Sequence, residues 1–168
     1  RSCLEKLDSV EDAKRALKLF TLEPAMVNRI DMRISQLADK LTLDDWVEVF
    51  NYKSVLRQRN VALLEICAYN IIKHQVASSK PLKLEHIQMC LLSCGVLNYH
   101  EETFYKFLVE QLRKLCEEQT SDVSNEWMKA NEPFLKAIIN SIGMLHLRDD
   151  KMLDALGRLI KSFPDRVH

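Results

Sequence analysis

The chain has 168 residues, and its 24 Lys and Arg are matched by 24 Asp and Glu, so the formal net charge is zero. Hydrophobic residues make up 47%, which suits one packed domain and excludes an intrinsically disordered segment. Only three Gly and four Pro argue against a hairpin-rich β-domain or a Gly-rich phosphate loop, and the charge balance removes the bulk basic excess typical of nucleic-acid binders.

Apolar residues recur at helical spacing along almost the whole chain. Ser9 caps a short helix with an early Glu11–Asp12 pair, running through Leu17 and Phe20. Pro24 fits the first turn of a second, whose stripe is Val27, Ile30, Ile34, Leu37 and Leu41. Thr42 caps a third, with Trp46, Val49 and Phe50 inward, and Asn60 caps a fourth carrying Leu63, Leu64, Cys67 and Ile71. After a polar break from Ser78 to Pro81 the pattern resumes with Ile87, Cys90, Leu91 and Val96. A long helix follows from near His100, bearing Phe104, Phe107, Leu108, Leu112 and Leu115. The polar, acidic stretch from Glu117 to Asn125 reads as a loop. Pro133 begins or kinks the next helix, with Phe134, Ile138, Ile139 and Ile142, and Asp149 and Asp150 open a last one with Met152, Leu156 and Ile160. The expectation is about eight helices and no strand.

Three segments superpose on one helix-turn-helix template. Ser93-Cys-Gly-Val-Leu-Asn-Tyr-His-Glu101 matches Ser141-Ile-Gly-Met-Leu-His-Leu-Arg-Asp149 at an offset of 48. Phe104 then falls on Met152, Leu108 on Leu156 and Leu112 on Ile160. At an offset of 41 in the other direction, Ser54-Val-Leu56 falls on Gly95-Val-Leu97, and Trp46, Val49 and Phe50 fall on Ile87, Cys90 and Leu91. The seven extra residues of the last unit are assigned to the loop from Glu117 to Asn125. The predicted fold is all-α, a right-handed α-solenoid-like array of antiparallel helical hairpins in a single domain. Its units lie near 9–41, 42–77, 82–118 and 126–163. Gly95 and Gly143 are expected at the end of the first helix of their units, as left-handed residues or close packing points.

These same segments, with Val55-Leu-Arg-Gln-Arg-Asn-Val-Ala-Leu-Leu64 as a third match, resemble the repeats of the FAST kinase domain-containing protein family. That family is related to octotricopeptide-type repeats of organelle RNA factors. The resemblance covers roughly residues 42–163, and Ser54 departs from it where the other units have Gly. It implies a mitochondrial protein acting in transcript processing, stability or ribosome assembly, with single-stranded RNA as partner. Family members follow the helical array with a nuclease-like module called RAP. No alternation of strands and helices suggests that module here, and no Gly-rich loop, His-Arg-Asp or Asp-Phe-Gly signature suggests a kinase. A binding scaffold with no catalytic residue is expected. The competing expectation is a HEAT-like or armadillo-like module that binds a protein partner.

The residues suggest where RNA would lie. Arg57-Gln-Arg-Asn60, Asn98-Tyr-His100 and His146-Leu-Arg148 put polar or basic groups at equivalent turns, so Arg57, Arg59, Tyr99, His100, His146 and Arg148 form the candidate site. Arginine contacts phosphate or stacks on a base, and Tyr99 would offer a π-face. Asn51, Lys53, Gln88, Lys136 and Asn140 on the first helices are the alternative RNA face. The segments 1–41, 42–81, 82–125 and 126–168 hold eight, five, four and seven basic residues against seven, four, seven and six acidic ones. Affinity for RNA would therefore be weak and steeply salt-dependent.

Other chemistry is not expected. His86, Cys90 and Cys94 share a helix face but lack a CxxC knuckle, and the register puts Cys90 and Cys94 in apolar slots, so neither a metal nor a cofactor is assigned. The pairs Asp44–Asp45, Glu101–Glu102 and Asp149–Asp150 fall in first turns, where the helix dipole favours negative charge. The five Cys, at 3, 67, 90, 94 and 116, form no disulfide framework and read as buried thiols of a reducing compartment. No apolar run approaches the roughly 20 residues of a membrane span. A chain that opens at Arg1 rather than Met is expected to be a piece of a longer protein.

Overall fold

A computed structural model describes residues 9–19, 24–120 and 124–162, so the expectations for Cys3 and Phe20 fall outside the described residues. All of its described secondary structure is helical. The helices are α1 Val10–Leu19, α2 Pro24–Gln36, α3 Leu43–Val55, α4 Val61–Ser78, α5 Leu84–Val96, α6 Glu102–Thr120, α7 Asn125–Leu145 and α8 Asp150–Lys161. A short 3-10 turn at Ala38–Lys40 joins α2 to α3.

Side chains stop and start these helices locally. Ser9 Oγ accepts from the Asp12 N–H at 3.2 Å, and Ser124 Oγ from the Trp127 N–H at 3.1 Å. Thr42 and Asp45 form a reciprocal capping box on α3. Asn60, Glu101 and Asp149 each accept from the N–H three residues on, at 3.3, 2.7 and 2.8 Å. These last three residues occupy one position of the repeat. The acidic pairs therefore each supply a cap, as expected, worth about 1 kcal/mol apiece.

The helices pack in sequence order as two layers. In one, α1 lies on α3, α3 on α5 and α5 on α7; in the other, α2 lies on α4, α4 on α6 and α6 on α8. The first three units also close as hairpins, α1 on α2, α3 on α4 and α5 on α6. Equivalent positions fill equivalent slots: Trp46, Ile87 and Leu135 are 0% exposed, as are Val49, Cys90 and Ile138. One continuous apolar cluster extends from Ala13 to Leu159. Each hairpin gains its core by stacking on the next, which is the physics of a repeat array. Among the described residues, no helix is long and apolar enough to cross a membrane.

Two expectations about backbone are corrected. Of the stretch from Glu117 to Asn125 expected as a loop, the described part is mostly helix, residues 121–123 lying outside the described residues: α6 continues to Thr120, and α7 begins at Asn125 and runs for 21 residues where α3 and α5 have 13. Pro133 therefore lies inside α7, at the position that Asp44 and Glu85 occupy in the first turn of α3 and α5. Met128 is buried and Trp127 packs against the core, so the added turns have apolar anchors that stabilise them as helix. Neither Gly95 nor Gly143 is left-handed, and no described Gly has positive φ. A Cβ on Gly95 would meet Leu145 at an ordinary 3.5 Å, and one on Gly143 would meet nothing within 4 Å, so neither is a close packing point.

Candidate functional site

Within each of the last three units, the turn between its two helices has its left-handed residue three positions after the slot of Ser54, Gly95 and Gly143. Arg57, Asn98 and His146 have φ of 54°, 52° and 53°, and they are register equivalents. In each turn the next N–H reaches back across the helix end: Gln58 to the Lys53 carbonyl at 2.9 Å, Tyr99 to Cys94 at 2.9 Å and Leu147 to Ile142 at 3.1 Å. A second bond runs from Arg57 to Ser54, Asn98 to Gly95 and His146 to Gly143, at 3.1, 3.3 and 3.3 Å. These paired bonds satisfy carbonyls that the helix leaves open. Three turns with one geometry point their side chains the same way.

The turns are brought together along one edge. Arg57, Arg59, His100, His146 and Arg148 are all exposed. Arg59 spans from its own turn to the next, its Nε donating to the Leu97 carbonyl at 3.0 Å. His100 is held by Asn98 Oδ1 and the Tyr105 hydroxyl, each 2.6 Å from a ring nitrogen. It shares with Arg148 a groove of about 620 Å³ between α6 and the start of α8. That groove is electrically mixed. Lys106 pairs with Glu102 at 3.0 Å, Arg113 holds Glu110, and Asp149 caps α8. Glu101, beside it, is held below the usual carboxylate range mainly by the Phe104 N–H.

Two candidate residues do not belong to this surface. Tyr99 is 5% exposed, with its ring edge-on to Phe50 at 6.1 Å, so no face is open to a base. The chain reverses at Asn98 and turns the following side chain onto the core. Lys53 is 0% exposed and cannot serve the alternative first-helix face. Its Nζ pairs with Asp31 at 2.5 Å and donates to Gln58 Oε1 at 2.8 Å, while Asn60 Nδ2 donates to Asp31 Oδ2 at 2.9 Å. The repeat itself carried this signal, because Lys53 occupies the slot of Cys94 and Ile142. Of the other residues on that face, Lys136 and Asn140 are exposed and Asn51 and Gln88 half-buried.

A second groove, of about 500 Å³, lies between α3 and α5 and contains a pair that sequence reasoning missed. His86 Nε2 and Asp44 Oδ1 are 2.7 Å apart, which ties successive first helices together. Asp44 had been grouped with the capping carboxylates, but Asp45 does the capping. The groove is lined by Tyr52, Asn51 and Met89 beside the pair, and by no Ser, Thr or Cys. Cys90 and Cys94 fill the core as the register predicts, and burial pushes the Cys90 thiol up to about 12. Among the described residues no cluster of His, Cys, Asp and Glu could hold a metal ion. The chain matches no known family model, and comparison with curated proteins and with solved structures likewise gives no match.

Proposed function

We propose that the chain is a non-catalytic helical-repeat scaffold that contacts single-stranded RNA along the edge formed by the turns between the two helices of successive units. The observation that carries this reading is the shared left-handed geometry of Arg57, Asn98 and His146. It repeats one polar projection per unit, and Arg59, His100 and Arg148 repeat a second one two residues later. Stacked helices lie about 8–10 Å apart, so the edge presents a regular ladder to a flexible strand. With zero net charge, the attraction comes from this ladder rather than from the bulk of the molecule. A role in mitochondrial transcript processing or stability is supported by the resemblance of the repeats to FAST kinase-like proteins alone. With Tyr99 buried, the scaffold grips phosphate and sugar more than it stacks bases.

The test is a fluorescence-anisotropy titration with a labelled single-stranded RNA at two salt concentrations. Three arginines on phosphates predict a slope of log affinity against log salt of about −2. The double variant Arg57→Glu, Arg148→Glu should weaken binding by at least about tenfold, or ~1.4 kcal/mol. Unchanged affinity in that variant rejects the turn edge, and no binding at low salt rejects the RNA reading.

A further inference from the structure

The groove between α6 and the start of α8 lies directly on the turn edge. Its volume of about 620 Å³ falls within the range of ligand pockets, about 300–1,000 Å³. His100 and Arg148, two members of the edge, line it, so a strand that follows the edge crosses its mouth. One wall is apolar, formed by half-buried Val109 and Leu147. At the preceding junction the larger Tyr99 takes the place of Leu147 and is buried edge-on to Phe50. Leucine, the smaller side chain, leaves room here.

Most polar groups around the groove are already occupied. Asn98 Oδ1 can only accept, so His100 Nε2, 2.6 Å away, carries the proton and Nδ1 accepts from the Tyr105 hydroxyl. Glu102 holds Lys106 at 3.0 Å, and both oxygens of Glu110 hold Arg113. Asp149 differs. Its Oδ1 caps α8 through the Met152 N–H at 2.8 Å, which leaves Oδ2 and a second lone pair of Oδ1 for a ligand. Arg148, its neighbour, is exposed and forms no ion pair among the described residues.

The open groups are therefore an acceptor-only carboxylate and, beside it, a cation. A flat ring with donors along one edge matches the first, and the phosphate of the same nucleotide matches the second. Guanine presents adjacent donors, N1–H and the N2 amine, which can meet both oxygens of one carboxylate. Adenine and cytosine offer one amine beside an acceptor. Uracil sets carbonyls on both sides of its single N–H, and a carboxylate repels that edge.

We propose that the α6–α8 groove holds one base of the bound strand and selects guanine through Asp149, with Arg148 on the adjoining phosphate. This rests on the turn-edge reading, and it adds one base-reading point to a surface that otherwise grips phosphate and sugar.

Fluorescein-labelled six-nucleotide RNAs, all uridine or with one central G, A or C, would be titrated into the 168-residue chain at low salt. The G strand should bind about tenfold tighter than the all-uridine strand, the scale of a bidentate base contact, with A and C between them. Methyl signals of Val109 and Leu147, followed by NMR, should shift further with the G strand than with the all-uridine one. Asp149→Asn keeps the cap, since asparagine caps as well as aspartate, but sets an amide donor against the guanine donors. It should bring the G and all-uridine strands to within about twofold of each other, without weakening the latter. Asp154→Asn removes the same charge from an exposed position of α8 outside the groove and should keep the preference. Three results would overturn the base pocket while leaving the turn edge standing. These are equal affinity for all four strands, a guanine preference that survives Asp149→Asn, and an equal loss of preference in Asp154→Asn. No binding of any strand at low salt rejects the turn-edge reading, and the pocket with it.

Discussion

Removing Asp31 is the sharpest perturbation of this fold. Its carboxylate joins three elements: Oδ1 pairs with Lys53 Nζ of α3 at 2.5 Å, and Oδ2 accepts from Asn60, the cap of α4, at 2.9 Å. The side chains of Lys53 and Asp31 are 0% and 4% exposed, so water replaces neither partner. In Asp31→Ala the ammonium keeps only Gln58 Oε1, at 2.8 Å, and the Asn60 amide loses its acceptor. Breaking a buried pair from one side costs about 3–5 kcal/mol, against about 5–15 kcal/mol for a whole domain. Lys53→Met alone strands the carboxylate at a similar cost. The double variant Asp31→Asn, Lys53→Met should recover to within about 2 kcal/mol of the unmodified protein. It removes both charges, and the same slot is already apolar at Cys94 and Ile142. Urea unfolding followed by circular dichroism at 222 nm measures these proteins, with Asp31→Asn alone added so that the Asn and Met substitutions close a double-mutant cycle. A cost below about 1 kcal/mol for Asp31→Ala, or a double variant no better than the singles, would refute the reasoning.

The left-handed turn makes a signed prediction at His146. Relief of a cost of about 1–2 kcal/mol, less the extra chain entropy of glycine, about 0.5–1 kcal/mol, should leave His146→Gly more stable by roughly 0.5–1 kcal/mol. His146→Val should lose about 1 kcal/mol or more, and equal melting temperatures for both variants would contradict the geometry. Glu101 predicts a pH dependence. The Phe104 N–H holds its folded pKa below the usual 4.5, so its stabilisation is present above that value and is lost as pH falls through the lower one. Glu101→Gln should therefore flatten urea midpoints between about pH 5 and 3, and parallel profiles for the two proteins would exclude the carboxylate as the cause.

The candidate site was legible in part, and its misses share one physical origin. Arg57, Arg59, His100, His146 and Arg148 are exposed where the turns were expected. Tyr99 is lost to the core because the left-handed Asn98 redirects the chain, a reversal that an asparagine permits but does not announce. Lys53 was assigned to the surface by its charge, although its place in the repeat says core; a slot dictates burial, and Asp31 makes the charge tolerable there. Asp31 itself had no visible partner, because 22 positions separate it from Lys53 and 29 from Asn60. The Asp44–His86 contact was hidden for the same reason, 42 residues apart in sequence and 2.7 Å apart in space.

By itself, then, the sequence determined the helices, most of their caps and the spacing of the units. Those features rest on bonds between residues three to five apart and on a 3.6-residue apolar period, all of it local. Tertiary structure alone decided which members of each equivalent set face water. Val55, Val96 and Met144 remain exposed while Lys53 is enclosed. It also decided that the extra residues near Pro133 become two more turns of helix, and that the turns line up as one edge. Desolvation and stacking depend on what the neighbouring hairpin places against a side chain, and that neighbour lies some forty residues away in the chain.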